Sequence, residues 1–127
     1  MTIEMKKITD FSNKNLLLVD DDSPFRERLA RAMEKKGFHV SQAESVKKGI
    51  ESVKQSCPGF AVVDLRLGDG NGLEVVKEIK KLGPESRVIM LTGYGNIPTA
   101  VAAVKDGAID YLAKPADADD VEKALLA

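Results

Sequence analysis

The sequence predicts an α/β fold in which a doubly wound parallel sheet of five strands carries helices on both faces. Three apolar runs, LLLVD, FAVVD and RVIML, lack polar alternation and are typical of strands that are covered on both faces. Strand-like and helix-like segments also alternate along the chain, without internal repeats or long linkers. This alternation predicts five βα units, and right-handed crossovers between parallel strands give a doubly wound sheet.

The first two units extend to about residue 59. LLLVD is the first strand, and the helix after it is predicted from Pro24 to Lys36, ended by Gly37. Its apolar face consists of Phe25, Leu29, Ala32 and Met33. A short strand from Phe38 to Gln42 precedes a second helix, which Ser45 can cap. That helix carries Val46, Ile50 and Val53 at helical spacing and is ended by Pro58 and Gly59.

The last three units begin with FAVVD, which ends in Asp64. A GDGNG loop leads to a third helix with an inward face of Leu73, Val76, Ile79 and Leu82, closed by Gly83 and Pro84. RVIML runs to Thr92, and a helix from Ile97 to Asp106 follows, stopped by Gly107. Its predicted inner side is Ile97, Ala100, Val101 and Val104. A brief strand, IDYLA, reaches Lys114 and Pro115, and the last helix starts near Asp117.

Length and composition limit the classes of protein that need considering. The 127 residues correspond to one domain, assigned to residues 14–127, and residues 1–13 are interpreted as a poorly ordered tail. A net charge of -1 with 31% charged residues gives no basic footprint for nucleic acid. The single cysteine, Cys57, excludes an internal disulfide and fits a reducing compartment, with a redox sensor as the alternative. Without a signal peptide or an apolar span of ~20 residues, we expect a cytoplasmic protein that does not enter the membrane.

Three consecutive carboxylates, Asp20 to Asp22, follow the first apolar strand. Like charges this close repel by about 4 kcal/mol per pair at ~4 Å, so a cation or a proton is expected beside them. The alternative is that the acidic residues cap the next helix, since Ser23 and Pro24 resemble an N-cap and a first helical residue. Both interpretations remain open at this point.

The other strand ends also carry polar side chains. Ligands of doubly wound sheets bind outside the carboxyl ends of the strands, where the sequence places Asp20, Asp21, Asp64, Thr92 and Lys114. The carboxylates provide hard oxygen ligands, which suit Mg²⁺. The negative charges of the three carboxylates would be neutralised by one divalent cation together with one lysine. A phosphoryl group accepted by Asp64 would offer oxygens to the metal, the lysine and the Thr92 hydroxyl.

The series VDDD, VVDLRL, MLTG and YLAKP resembles the receiver domain of two-component response regulators over residues 14–126. The stretches DLRLGDGNGLEVV, LTGYGNI and AVKDGAIDYLAKPADADDV are similar to the redox-responsive RegA, PrrA and ActR regulators of proteobacteria. This resemblance implies a flavodoxin-like receiver fold with strand order 2-1-3-4-5. It also implies a signalling switch, phosphorylated by a sensor histidine kinase to control transcription, with self-catalysed phosphotransfer and autodephosphorylation.

The resemblance also assigns roles to individual residues. Asp64 is the expected phosphoacceptor, Thr92 and Lys114 bind the phosphoryl oxygens, and Thr92 forms a switch pair with Tyr111. The expected ligands of Mg²⁺ are Asp20, Asp21, Asp64 and the main-chain carbonyl of Arg66. The Lys114–Pro115 bond is expected to be cis, as is usual in receivers.

Two departures from the family pattern affect these expectations. Many receivers have a Met-Pro pair after the acceptor, whereas this chain has Leu67, Gly68 and Asp69, which leaves the loop shape open. Regulators of this group carry a helix-turn-helix segment after the receiver, whereas this chain stops at Ala127. DNA contact is therefore expected only through an output domain outside the chain. Phosphorylation-dependent homodimerisation is expected through the fourth helix, fifth strand and fifth helix.

Other classes share parts of this pattern. A haloacid dehalogenase-type phosphatase also forms an aspartyl phosphate with Mg²⁺, but it needs an acid two residues after its nucleophile, where Arg66 stands. A flavodoxin-like FMN binder needs a first loop rich in Ser, Thr and Gly rather than acids. A degenerate receiver would bind partners without being phosphorylated.

Two bulky residues, Arg66 and Tyr94, lie two positions beyond the expected acceptor and two beyond Thr92. In receivers these positions flank the path of the hydrolytic water. An aromatic ring and a long cationic chain should crowd that path, so a long-lived phosphorylated state is expected.

Overall fold

The computed structural model describes residues 6–93, 97–105, 107–108 and 110–127. Its main sheet contains five strands, numbered here along the chain: β1 Asn15–Val19, β2 His39–Ala43, β3 Phe60–Asp64, β4 Arg87–Thr92 and β5 Asp110–Ala113. They lie in the order β2-β1-β3-β4-β5, and every neighbouring pair is parallel. The predicted doubly wound sheet and its strand order are confirmed.

Helices cover both faces of this sheet. They are α1 Ser23–Lys35, α2 Val46–Gln55, α3 Leu73–Leu82, α4 Ile97–Lys105 and α5 Ala118–Leu126. Alternate residues of β1 enter two separate apolar clusters: Leu17 and Val19 pack with α2 and α3, whereas Leu16 and Leu18 pack with α1 and α5. The uninterrupted apolar runs of the sequence therefore correspond to strands buried on both faces, because successive side chains point to opposite sides.

The helix starts follow local capping, with one correction. Asp22, not Ser23, is the N-cap of α1, because its carboxylate accepts the amide of Phe25 at 3.2 Å. Ser23 is already helical, one residue before the predicted start. Ser45 caps α2 as predicted, and Asp117 caps α5.

Two residues predicted to face inward lie at the surface. Leu82, at the end of α3, is 48% exposed, and Val101 on α4 is 41% exposed. Helical spacing predicts which apolar residues share a face of a helix but not which of them the neighbouring elements cover. The predicted end of α4 at Asp106 lies outside the described residues, as do the side chains of Ile97 and Ala100.

The prediction of a poorly ordered tail is wrong for residues 8–11. Ile8–Asp10 form a 3-10 helix with Ile8 buried, and the ring of Phe11 lies edge-on to that of Phe60, with centroids 5.0 Å apart. The segment therefore contributes to the core between α1 and α5. The boundary assigned at residue 13 stays a prediction. Across the described part of the chain, no helix is both long and apolar enough to cross a membrane.

Candidate functional site

The predicted site residues meet at the carboxyl edge of the sheet. Asp20 directly follows β1, Asp64 ends β3, Thr92 ends β4 and Lys114 directly follows β5. Parallel strands bring their carboxyl ends to one edge, which is why residues distant in sequence become neighbours here.

Three carboxylates form a cluster at this edge. One oxygen from each of Asp20, Asp21 and Asp64 lies within 4.8 Å of the others. Asp20 and Asp64 are buried, whereas Asp21 is exposed, so the cluster opens to solvent on one side. Oxygen ligands alone, open to water, are the donor set that Mg²⁺ and Ca²⁺ prefer.

Lys114 lies against the cluster. Its Nζ is 2.8 Å from Asp20 Oδ2, 3.0 Å from Asp20 Oδ1 and 3.2 Å from Asp64 Oδ2. The ammonium also lies 4.9 Å from the centroid of the Phe25 ring, which forms one wall. Asp20 Oδ2 is buried, and among the described residues only the ion pair with Lys114, not a well-aligned hydrogen bond, contacts it. A carboxylate oxygen paired with one ammonium has a further lone pair that a cation can use.

The charges at this edge shift two pKa values. Burial, and then the charge of Asp20, raise the pKa of Asp64, and Lys114 offsets only part of that effect. Burial alone would lower the pKa of Lys114, but its hydrogen bond to Asp20 and the charges of Asp64 and Asp20 raise it. The site is therefore short of positive charge, which a bound cation would supply.

The three consecutive aspartates perform three different tasks. Asp20 binds Lys114 and accepts the main-chain amide of Asp22 at 2.9 Å. Asp21 completes the acidic cluster, and Asp22 caps α1. Of the two interpretations left open by the sequence, capping is confirmed for Asp22, and the ammonium of Lys114 lies beside Asp20. A metal ion at the cluster stays a prediction.

The loop between β3 and α3 forms a small hairpin. Arg66–Leu67 pair antiparallel with Gly70–Asn71. The Arg66 side chain is exposed, and its main-chain amide donates a long, 3.4 Å hydrogen bond to Asp64 Oδ1. Gly72 closes the loop so tightly that a Cβ there would lie 2.1 Å from the Asp64 carbonyl oxygen. Only glycine fits at this approach.

Thr92 is fully buried, and its hydroxyl donates to the Gly93 carbonyl at 3.2 Å. Tyr111 is half-buried on β5 and packs against the apolar cluster that contains Met90. Because Met90 and Thr92 are two residues apart on β4, Thr92 and Tyr111 lie on the same face of the sheet. The Lys114–Pro115 bond is cis, as expected. Tyr94 lies outside the described residues.

Two polar residues near the site were not predicted. Arg26 is buried on α1 and donates to the Asp20 carbonyl at 2.7 Å. Asp69, in the hairpin, accepts main-chain amides of α2. In the sequence, Arg26 is marked only by its place beside Phe25, an apolar position of a predicted helix. The GDGNG stretch that contains Asp69 predicted a loop and no bond to another element.

Comparison with known proteins identifies the family. Residues 16–126 match the response regulator receiver domain. The chain belongs to this family. The assignment removes the flavodoxin-like FMN binder and the dehalogenase-type phosphatase from the alternatives.

Regulators of the predicted group are among the similar proteins. The receiver is 60% identical over 116 residues to the photosynthetic apparatus regulatory protein RegA of Rhodobacter capsulatus, covering 91% of this chain and 63% of the relative. It is also 60% identical over 114 residues to the acid tolerance regulatory protein ActR of Sinorhizobium medicae, covering 90% and 59%. The receiver thus spans about three fifths of the length of these relatives.

A solved structure shows the same fold. The receiver matches a response regulator from Burkholderia pseudomallei with a TM-score of 0.83 and 42% identity, covering 89% of this chain and 66% of that chain. That crystal structure contains a phosphorylated aspartic acid, a calcium ion and citrate.

Proposed function

We propose that Asp64 accepts a phosphoryl group from a sensor histidine kinase and that the phosphorylated receiver controls a transcriptional output. The observation that carries this proposal is the assembly around Asp64: its carboxylate lies in the acidic cluster and 3.2 Å from Lys114 Nζ. The phosphorylated aspartic acid of the Burkholderia pseudomallei relative supports the same chemistry here.

In the proposed transfer, an Asp64 carboxylate oxygen attacks the phosphorus of a phosphohistidine. The new O–P bond forms as the P–N bond breaks, and the imidazole leaves with the electron pair. Asp64 then carries about -2 instead of -1. Lys114, already beside Asp64 Oδ2, can bind one phosphoryl oxygen, and the Thr92 hydroxyl can turn from the Gly93 carbonyl to bind another.

We propose Mg²⁺ as the cofactor. The carboxylates of Asp20, Asp21 and Asp64 fit it by donor type and spacing, and the main-chain carbonyl of Arg66 is the expected fourth protein ligand. When bound, the ion would neutralise the charge of the transferred phosphoryl group. The calcium ion in the Burkholderia pseudomallei structure is consistent with a divalent cation at such a site.

The relatives support proposals for the wider system. RegA and ActR are named as regulatory proteins and are longer than this chain. We infer that DNA is bound through an output domain outside the receiver, that phosphorylation favours a homodimer through α4, β5 and α5, and that the protein acts in the cytoplasm. Return to the resting state is proposed to occur by hydrolysis of the aspartyl phosphate, without a separate enzyme.

The experiment that tests this function is phosphate incorporation. The chain is incubated with a small phosphodonor and Mg²⁺, and mass spectrometry locates the added phosphate. Asp64→Asn should abolish incorporation because an amide is a poor nucleophile. Asp22→Asn is the matched control, since asparagine also caps helices and Asp22 lies outside the cluster. Retained incorporation in Asp64→Asn would contradict the assignment, and none in the unmodified chain would favour a degenerate receiver.

A further inference from the structure

The hairpin after Asp64 lies beside the acidic cluster. A Cβ placed on Gly68 would be 3.9 Å from Asp21 Oδ2, so the turn of the hairpin borders the proposed cation site. Residues 68–71 are exposed. Exposed residues in a turn are readily displaced unless another element holds them.

One side chain of this turn reaches a different element. Asp69 Oδ1 accepts the main-chain amide of Val46 at 2.8 Å, and Oδ2 accepts that of Lys47 at 3.1 Å. These are among the first amides of α2, which have no partner within the helix. Ser45 Oγ accepts the next amide, that of Lys48, at 3.1 Å. The two bonds to main-chain amides also hold the pKa of Asp69 below its ordinary value.

Helix α2 is more firmly anchored than the hairpin that Asp69 connects to it. Helix α2 is anchored in the core through Val46 and Val53, and Gly49 packs against Val19 of β1. Its start already has a local cap in Ser45, which is what a helix of this kind ordinarily needs. The additional carboxylate comes from a residue 23 positions away. The anchored helix therefore fixes the hairpin, rather than the reverse.

We propose that Asp69 is a positioning residue for the cation site: by fastening the hairpin to the start of α2, it holds the turn beside Asp21 and restrains the main chain of Arg66, whose carbonyl is the expected fourth ligand. This inference rests on the proposed magnesium-dependent phosphorylation of Asp64.

Three variants separate this role from its alternatives. Asp69→Ala loses both bonds, whereas Asp69→Asn loses the same charge but keeps one acceptor oxygen. Ser45→Ala removes a cap of the same helix without releasing the hairpin. The measurements are titration with magnesium alone, followed by amide chemical shifts, and hydrogen exchange of residues 65–72.

We expect Asp69→Ala to weaken magnesium binding by about tenfold, the lower end for residues that orient metal ligands, and to speed exchange in the hairpin. Asp69→Asn should fall between Asp69→Ala and the unmodified chain. Ser45→Ala should lower stability while leaving both magnesium affinity and hairpin exchange unchanged.

Three results would overturn the inference. Equal weakening of magnesium binding by Asp69→Ala and Asp69→Asn would show that only the lost charge matters. Equal weakening by Ser45→Ala would assign the effect to helix stability. If Asp69→Asn had the magnesium affinity and the hairpin hydrogen exchange of the unmodified chain, the inference would be overturned even if Asp69→Ala failed to fold. Absence of phosphate on Asp64 in the unmodified chain would contradict the proposed function but not these binding results, so the two failures are distinguishable.

Discussion

Arg26 is a buried cation on α1 that contacts the main chain of Asp20. Its Nη1 donates to the Asp20 carbonyl at 2.7 Å and its Nε to Gln42 Oε1 at 2.9 Å, both neutral oxygens. Burying a guanidinium is costly unless its hydrogen bonds are satisfied. Arg26 thus connects α1 to the ends of β1 and β2.

Arg26→Met should test this connection. The substitution leaves the Asp20 carbonyl without its partner, so the free energy of unfolding should fall by about 1–3 kcal/mol. Urea unfolding measures the change, and Arg28→Met, at an exposed position of the same helix, is the control. Equal stabilities of the two variants would show that the buried hydrogen bonds contribute nothing.

Arg66 and Tyr94 are expected to slow hydrolysis of the aspartyl phosphate. Because bulky side chains should hinder the hydrolytic water, and a guanidinium can also pair with phosphate oxygens, the aspartyl phosphate is expected to be long-lived. Replacing Arg66 by Asn and Tyr94 by Glu together should speed phosphate loss by roughly tenfold, or about 1.4 kcal/mol of barrier. The decay is followed by mass spectrometry with saturating magnesium. An unchanged or slower decay would show that these side chains do not guard the water.

Among single residues, the sequence predicted the polar site residues that lie at the ends of apolar strands. Asp20, Asp64 and Lys114 could be found because each follows an apolar run, and parallel strands bring such positions together. Arg26 and Asp69 could not, because each binds main-chain atoms of another element, Arg26 the carbonyl 6 positions before it and Asp69 an amide 23 positions before it. A main-chain partner leaves no trace in the sequence pattern.

Among the elements, the N-terminal segment departs most from its prediction. The Phe11 ring packs edge-on against Phe60, and the Arg87 guanidinium carbon lies 5.6 Å from the Phe11 centroid. Arg87 also donates to the carbonyls of Leu125 and Ala127 at the end of α5. Short 3-10 turns have no clear apolar period, so this segment could not be recognised from the sequence.

Phe11→Ala should therefore lower the free energy of unfolding. Loss of a half-buried aromatic ring and its edge-on contact should cost about 1–3 kcal/mol. Thermal or urea unfolding measures the effect, with Ser12→Ala at the exposed neighbouring position as the control. If both variants matched the unmodified chain, the segment would be a dispensable tail, as the sequence alone suggested.

For the whole molecule, two exposed apolar residues allow the proposed dimer to be tested. Val101 lies on α4, within the surface expected to form the dimer, and Leu82 lies at the end of α3, outside it. Val101→Glu should prevent phosphorylation-dependent dimerisation without preventing phosphate incorporation, because a buried carboxylate at an interface is costly. Leu82→Glu should still dimerise. Analytical ultracentrifugation with and without phosphodonor distinguishes these outcomes, and a dimer of Val101→Glu would place the interface elsewhere.

Thr92 and Tyr111 are expected to transmit phosphorylation of Asp64 to the surface formed by α4, β5 and α5. Phosphate should draw the buried Thr92 hydroxyl away from Gly93, which frees space on the sheet face that Thr92 shares with the half-buried Tyr111 ring. The α4, β5 and α5 surface would then have two conformations, and entry of the Tyr111 ring into this space would favour the second. Amide chemical shifts after addition of a phosphate mimic with magnesium should therefore change throughout residues 96–124.

Variants at the same two positions show whether this coupling is real. Thr92→Ser keeps the hydroxyl and should preserve the distant shifts, whereas Thr92→Ala should confine them to the cation site. Tyr111→Phe keeps the ring and should behave as the unmodified chain, whereas Tyr111→Ala should lose the response. If the mimic shifted only the residues around Asp64 in the unmodified chain, Tyr111 would be an ordinary packing residue and the switch would be wrong.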